Sequence, residues 1–255
     1  MRKTLMKISG NTILITGGTS GIGRELAHEF HTSGNKVVIT GRRTALFDEV
    51  VAAHPGMIGY ILDVDDARAV REFAATVTAN HPDLNVLLNN AGIMKAEDLT
   101  AETIDLSIAE ATITTNLLAP IRLTAALLPH LRRQPQSTII NVSSGLAFVP
   151  LVIAPTYNAT KAAIHSYTIA LRRQLQGTSV EVLELIPPSV QTDLMPGHAE
   201  DPHAMPLAEF IAETMAEFRK APTPKEINVK RLGFLRDAEA ERRFEQTFEI
   251  LNGTH

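Results

Sequence analysis

The chain contains no cysteine and no tryptophan, and only 5% of its 255 residues are aromatic. The first absence excludes disulfides and thiolate metal sites, and it fits a reducing compartment. The nine histidines include no His-x-x-x-His pair of the kind that chelates zinc, so no metal is expected. An excess of charge of one sign is also missing. Lys plus Arg number 24 against 28 Asp plus Glu, a net charge of −4, with a pI near 6.1. Basic residues cluster only as short pairs such as Arg42-Arg43, Arg132-Arg133 and Arg172-Arg173, so no nucleic-acid-binding face is expected. No run reads as the ~20 apolar residues of a membrane helix. The basic opening, residues 1–10, leads into a strand-like run instead of a signal peptide. The expectation is a cytoplasmic protein with neither a nucleic-acid nor a membrane partner.

What is present is 44% hydrophobic residues, enough to bury one α/β core. Short apolar runs at 12–16, 36–40, 57–62, 85–89, 138–142 and 180–186 alternate with helix-length segments. That alternation predicts an α/β fold, a single-domain Rossmann-type doubly wound parallel sheet with helices on both faces and ligands at the carboxyl ends of the strands. No repeat or linker divides the chain, so residues 1–255 are read as one domain. The loosest region, 187–224, is rich in Pro, Met and His, and about 193–222 are read as a substrate lid.

Three features carry chemistry. Tyr157 and Lys161 are four residues apart, one helical turn, so a phenol and an ammonium share a face. A cation favours the phenolate and draws a pKa of ~10 toward the working range, which would let the tyrosine exchange a proton with a carbonyl oxygen. The competing reading is an ordinary surface pair on an amphipathic helix. The second feature is Thr16-Gly-Gly-Thr-Ser-Gly-Ile-Gly23. Here Gly17, Gly21 and Gly23, with Thr19, Ser20 and Ile22 between them, join the first strand to a helix whose N-terminus can hold a pyrophosphate. The second strand then ends Gly41-Arg42-Arg43, with glycine where an NAD site keeps an acid and Arg42 ready for a 2′-phosphate. NADP(H) is expected in preference to NAD(H), although two arginines can also be a solvated helix start. The third feature is Asn116, four residues before Pro120. Proline has no N–H, so the helical bond to the Asn116 carbonyl cannot form and a kink is expected.

The spacing Thr-Gly-x-x-x-Gly-x-Gly, the element Asn89-Asn-Ala-Gly92, the serines Ser143-Ser144 and the Tyr157–Lys161 pair stand in order along roughly residues 8–195. In this the chain resembles the classical short-chain dehydrogenases/reductases; its shortened end looks most like the DltE-type bacterial oxidoreductases. The resemblance implies that Asn116, Ser144, Tyr157 and Lys161 are catalytic. Tyr157 would be the general acid/base, Ser144 would orient the carbonyl, Lys161 would hold the nicotinamide ribose, and Asn116 with a water would relay protons. It implies cofactor contacts from Asp63, Val64, Asn90, Ala91 and Gly92, and from Pro187, Val190 and Thr192 after the sixth strand. Pro188 stands where the family has glycine, which puts the path of that loop in question. The implied activity is hydride transfer between NADP(H) and a carbonyl or secondary alcohol, by a homodimer or higher homo-oligomer paired through helices around 104–131 and 157–175. The rival is an NADP(H)-binding redox-sensing regulatory protein without turnover.

The segment 195–218 carries Met195, Met205, Leu207, Phe210, Ile211, Met215 and Phe218, and is read as an amphipathic helix over the cleft. With Phe148, Val149 and Leu151 it would favour an apolar small-molecule substrate. The end of the chain is read as a short strand within 226–230 and a charged helix over 237–251.

Overall fold

Alternation along the strands explains the layers. In β1 (Thr12–Thr16), Ile13 and Ile15 face one hydrophobic cluster and Leu14 the opposite one. β2 (Lys36–Gly41) divides in the same way, with Val37 and Ile39 on one side and Val38 on the other. A strand apolar on both faces must be covered twice, as in a parallel sheet between helical layers. The computed structural model describes residues 6–42 and 44–253 and has this architecture. Arg43, the second arginine of the Arg42-Arg43 pair, lies outside the described residues.

The chain continues through α1 (Gly21–Thr32), α2 (Thr44–Ala53), β3 (Ile58–Ile61), α3 (Ala67–Asn80), β4 (Leu84–Asn89), α4 (Ser107–Ile113), α5 (Ala119–Leu131) and β5 (Ser137–Val142). It ends with α6 (Pro155–Gln174), β6 (Val180–Leu185), α7 (Leu207–Phe218), β7 (Glu226–Ile227), α8 (Gly233–Arg236) and α9 (Phe244–Asn252). The strands form one sheet in the order β3-β2-β1-β4-β5-β6-β7, every neighbouring pair parallel. β1 pairs with β2 on one side and β4 on the other, so the winding reverses there and a crevice opens beyond their carboxyl ends. Local chemistry sets the helix ends. Asp66 caps α3 by accepting the N–H groups of Arg68 and Ala69 at 2.7 and 3.1 Å. α6 opens on Pro155, whose missing N–H is no loss in a first turn, and closes near Arg172 and Arg173, favourable at a helix C-terminus.

Three expectations are corrected. Among the described residues, 107–131 form one helical run of 25 residues whose most apolar 18-residue window has a mean hydropathy of 1.3, long and apolar enough to cross a membrane by length and composition alone. Leu123, Leu127 and Leu131 of this run are buried against the sheet, which accounts for its apolar face. The apolar residues of α7 are core: Phe210, Ile211, Met215 and Phe218 join the cluster under α1, and Phe218 meets Phe30 edge-on at 5.4 Å. Helical spacing specifies a face, not what covers it. The helix expected over 237–251 begins only at Phe244, as α9; Arg242, at φ 58, takes the left-handed conformation just before it, and the short α8 precedes the expected range.

Leu87, fully buried in β4, tests this core directly. Leu87→Ala is expected to lower stability by about 2–5 kcal/mol, read as a lower urea midpoint at an unchanged m-value.

Candidate active site

The glycine turn is built for close approach. Gly17 has φ +66 and Gly21 φ +53, a region costly for other residues. A Cβ on Gly23 would lie 2.3 Å from Asn90 Nδ2 and 2.4 Å from the Gly17 oxygen, so only hydrogen fits. Thr16 ties this turn to the end of β4. Its hydroxyl accepts the Asn90 and Ala91 N–H groups at 3.0 and 3.1 Å, and Asn90 Nδ2 donates to the carbonyls of Thr16 and Gly17 at 3.0 and 3.3 Å. α1 therefore starts at the crevice with no acid in its first turn, an arrangement that favours an anion. Thr192 arrives from the loop after β6, its methyl 3.5 Å from where a Gly21 Cβ would sit. Pro187 accepts the Gly145 N–H at 2.8 Å, and Val190 bridges to Met205, so Pro188 leaves the loop attached at both ends.

At the far edge of the crevice a Cβ on Gly41 would lie 2.6 Å from the Thr19 methyl, leaving no space there for an acidic side chain. The Arg42 side chain is 55% exposed, and its ion pair with Asp65 is long at 3.7 Å. Asp63 is exposed after β3 and accepts the Asp65 N–H at 3.1 Å, whereas Val64 is packed in the core. Asp65 was missed by sequence reading. It accepts from Thr115 Oγ1 at 2.8 Å and its carbonyl from Arg122 at 3.2 Å; the acidic turn 63–66 was the available signal.

Ser144 extends beyond β5, its hydroxyl accepting the Leu146 N–H at 3.1 Å and hydrogen-bonding Tyr157. Tyr157 and Lys161 lie on the buried face of α6. Lys161 Nζ donates to the Val142 carbonyl at 3.0 Å and stands 5.5 Å from the Tyr157 ring centroid. Asn116 lies in a π-helical segment, Thr114–Leu118, where the Ala119 N–H reaches the Thr114 carbonyl five residues back. The helix thus accommodates Pro120 by widening its ladder. The Asn116 amide bonds both backbone groups of Ile93, at 2.9 and 2.8 Å. A Cβ on Gly92 would lie 3.3 Å from Asn116 Oδ1 and 3.8 Å from Lys161 Nζ, so the two side chains flank one point.

The model of the short chain dehydrogenase family matches residues 11–203. The chain belongs to the short-chain dehydrogenase/reductase family. DltE of Bacillus subtilis, an uncharacterized oxidoreductase, is 45% identical over 189 residues, 74% of this chain and 75% of that one. An NADP-dependent 3-hydroxy acid dehydrogenase of Schizosaccharomyces pombe is 31% identical over 197 residues, 74% and 75% of the two chains. The crystal structure of a short-chain dehydrogenase from Streptomyces avermitilis has a TM-score of 0.80 at 26% identity, covering 96% of this chain and 99% of that one.

Within this short-chain dehydrogenase fold the electrostatics differ from the sequence expectation. Burial pushes the Tyr157 phenol up to about 12, and the Ser144 hydrogen bond pulls only partly the other way. Burial pushes Lys161 down to about 8. Desolvation therefore outweighs mutual attraction for the pair. Beside Tyr157 stand Met94, Ala154, Leu146, Leu151 and Met195, an apolar wall. Phe148 and Val149, expected there, face elsewhere: Phe148 packs on His165, and Val149 is enclosed with Leu235 and Ala238. An apolar cavity of about 540 Å³ adjoins this wall between Leu151, Ala159 and Phe248.

A buried lysine with a lowered pKa makes a pH-dependent contribution. Below about 8 it is charged in both states, and folding bears its desolvation. Between there and ~10.4 the unfolded chain binds the extra proton, so stability from this group rises with pH. Lys161→Met is expected to be more stable than the parent at pH 7 by about 1–3 kcal/mol. Paired urea melts at pH 7 and pH 10.5 should show that gain shrinking at the higher pH.

Proposed function

We propose that the protein is an NADP(H)-dependent oxidoreductase that reduces an apolar ketone or aldehyde, or oxidises the corresponding secondary or primary alcohol. The Ser144–Tyr157 hydrogen bond, with Lys161 one turn along α6, carries the reading. The residues present fit a dinucleotide. Gly17 and Gly23 form a cradle any Cβ would fill, Thr192 closes over it, and the space at Gly41 is taken by Thr19. Arg42, half exposed and loosely paired, is free to turn to a 2′-phosphate.

When bound, the cofactor supplies or accepts a hydride at its nicotinamide ring. The protein's own groups do the rest. Ser144 hydrogen-bonds the carbonyl oxygen and fixes its distance from Tyr157. A phenol whose pKa lies well above neutrality is protonated at rest, the form from which reduction starts. Lys161 would hold the ribose hydroxyls, and its ammonium would stabilise the phenolate left after donation. Asn116, across Gly92 from Lys161, is suited to order a water that returns the proton. The apolar wall of Met94, Leu146, Leu151 and Met195 favours an apolar carbonyl substrate, with residues 193–206, rather than α7, as the lid over it.

A homodimer is proposed as the working unit. Ile113, Leu118 and Ile169, 41%, 37% and 47% exposed, lie on helices of the α4–α5 run and α6 whose outer faces the fold leaves bare.

A panel of ketones and aldehydes, followed by NADPH absorbance, tests the reading. Tyr157→Phe is expected to lose about 10²–10⁴-fold in turnover while keeping NADPH affinity; near-normal turnover would refute the role. Because Lys161 loses its proton near 8, kcat/KM for reduction is expected to fall above that pH. NADPH is expected to bind at least about tenfold tighter than NADH, and Arg42→Ala to remove most of the difference. Tighter NADH binding would overturn the cofactor assignment, and NADPH binding without turnover across the panel would favour the sensing role.

A further inference from the structure

Beneath Ser144 lies a set of polar groups that cofactor binding does not explain. β6 is apolar except for Glu181 and Glu184, and Glu184 is 0% exposed. A carboxylate buried in a sheet is costly unless paired and fully hydrogen-bonded. Glu184 Oε1 accepts from Ser143 Oγ at 2.5 Å, and its two oxygens lie 2.9 and 3.0 Å from His165 Nδ1. Both partners have a telling position. Ser143 stands between Val142, whose carbonyl holds Lys161, and Ser144, which bonds Tyr157. His165 is one turn beyond Lys161 on α6, on the same side of the helix. One carboxylate therefore ties together the strand end and the helix that carry Ser144, Tyr157 and Lys161.

The connection continues to the end of the chain. The Phe148 ring stands edge-on to His165 at 4.8 Å, and the Arg236 guanidinium lies 4.4 Å from the Phe148 centroid. Arg236 donates to Glu226 at 3.1 and 3.2 Å. Glu226 is the register partner of Glu184 on β7, so two acids sit side by side and need cationic or donor groups around them. A Cβ on Gly145, the residue after Ser144, would lie 2.7 Å from Leu235 Cδ1 and 3.1 Å from Leu232 Cδ1. The tail is thus packed directly beneath the serine.

We propose that Glu184 is a positioning residue: through Ser143 and His165 it fixes Ser144 and the Lys161 anchor, and the segment 226–236 braces it through Arg236 and Phe148. The inference rests on the reductase reading above for its catalytic consequence, but not for its geometry. Residues that hold reacting groups to within an ångström can govern rate without touching substrate.

The test uses the full chain with Glu184→Gln, His165→Leu and His165→Gln, reading kcat and KM on a reduced carbonyl, NADPH affinity by fluorescence, and amide hydrogen exchange over residues 142–148. Glu184→Gln keeps shape but removes the charge and an acceptor; His165→Gln keeps an N–H donor that His165→Leu removes. Glu184→Gln and His165→Leu are expected to lower kcat about tenfold or more, with NADPH affinity within about twofold. His165→Gln should retain most of kcat. Exchange at 142–148 should quicken in Glu184→Gln and stay unchanged around the glycine turn. Should His165→Leu fail to fold, Ser143→Ala, which removes only the link to the strand, is expected to show the same kcat loss. Unchanged kcat and exchange in folded Glu184→Gln would overturn the proposal, as would a kcat loss matched by an equal loss of NADPH affinity. Equal loss in His165→Gln and His165→Leu would also overturn it. If the parent binds NADPH yet reduces nothing, the reductase reading fails, while the exchange comparison still decides whether Glu184 positions Ser144.

Discussion

The Thr16 hydroxyl accepts two backbone N–H groups from the end of β4, and the Asn90 amide returns two bonds to the end of β1. Each is worth only ~1 kcal/mol net, but leaving such groups buried and unpaired would cost more. Together they fix the one place where the sheet's winding reverses. From that point the chain enters α1 through a turn too tight for any Cβ at Gly23, and it enters the Gly92 loop that lies between Asn116 and Lys161. The glycine turn and the Asn116–Lys161 end of the crevice therefore share one anchor. A change there would misplace both.

Opposite that anchor, the fold carries groups that burial disfavours. Tyr157 is raised to about 12 and Lys161 lowered to about 8, and Glu184 is enclosed in β6. None of the three is placed for stability; a buried ion or phenol contributes only when its partners are complete. Two apolar clusters, one on each side of the sheet, supply the surplus that lets such groups persist. The same burial keeps the phenol protonated at rest, the form from which the proposed reduction starts.

Much of this was legible in the chain. β1 was bounded correctly at both ends, because a strand buried on both faces reads as an unbroken apolar run between a polar start and a glycine turn. Pro120 announced a break after Asn116, since a missing N–H is visible in sequence; that the break is a π segment is not. The methionine and phenylalanine stripe of α7 was read as cleft lining because periodicity does not say which surface a face meets. The interactions of Asp65, His165 and Glu184 were not legible. Their partners lie 50, 19 and 41 residues away, and no local pattern encodes such pairings. For Glu184 the one hint is an acid inside an apolar strand. The tail helix starts later than the sequence suggests because nothing in composition marks the left-handed Arg242 that precedes it.

The proposed function turns on direct hydride transfer, with Tyr157 as the separate source of the proton. Reduction of a carbonyl by NADPH carrying deuterium at nicotinamide C4, in ordinary water, tests it, with the product examined by NMR. Deuterium is expected on the carbinol carbon when the label is on the transferred face, and protium there when unlabelled NADPH is used in D2O. Solvent deuterium on that carbon would contradict it.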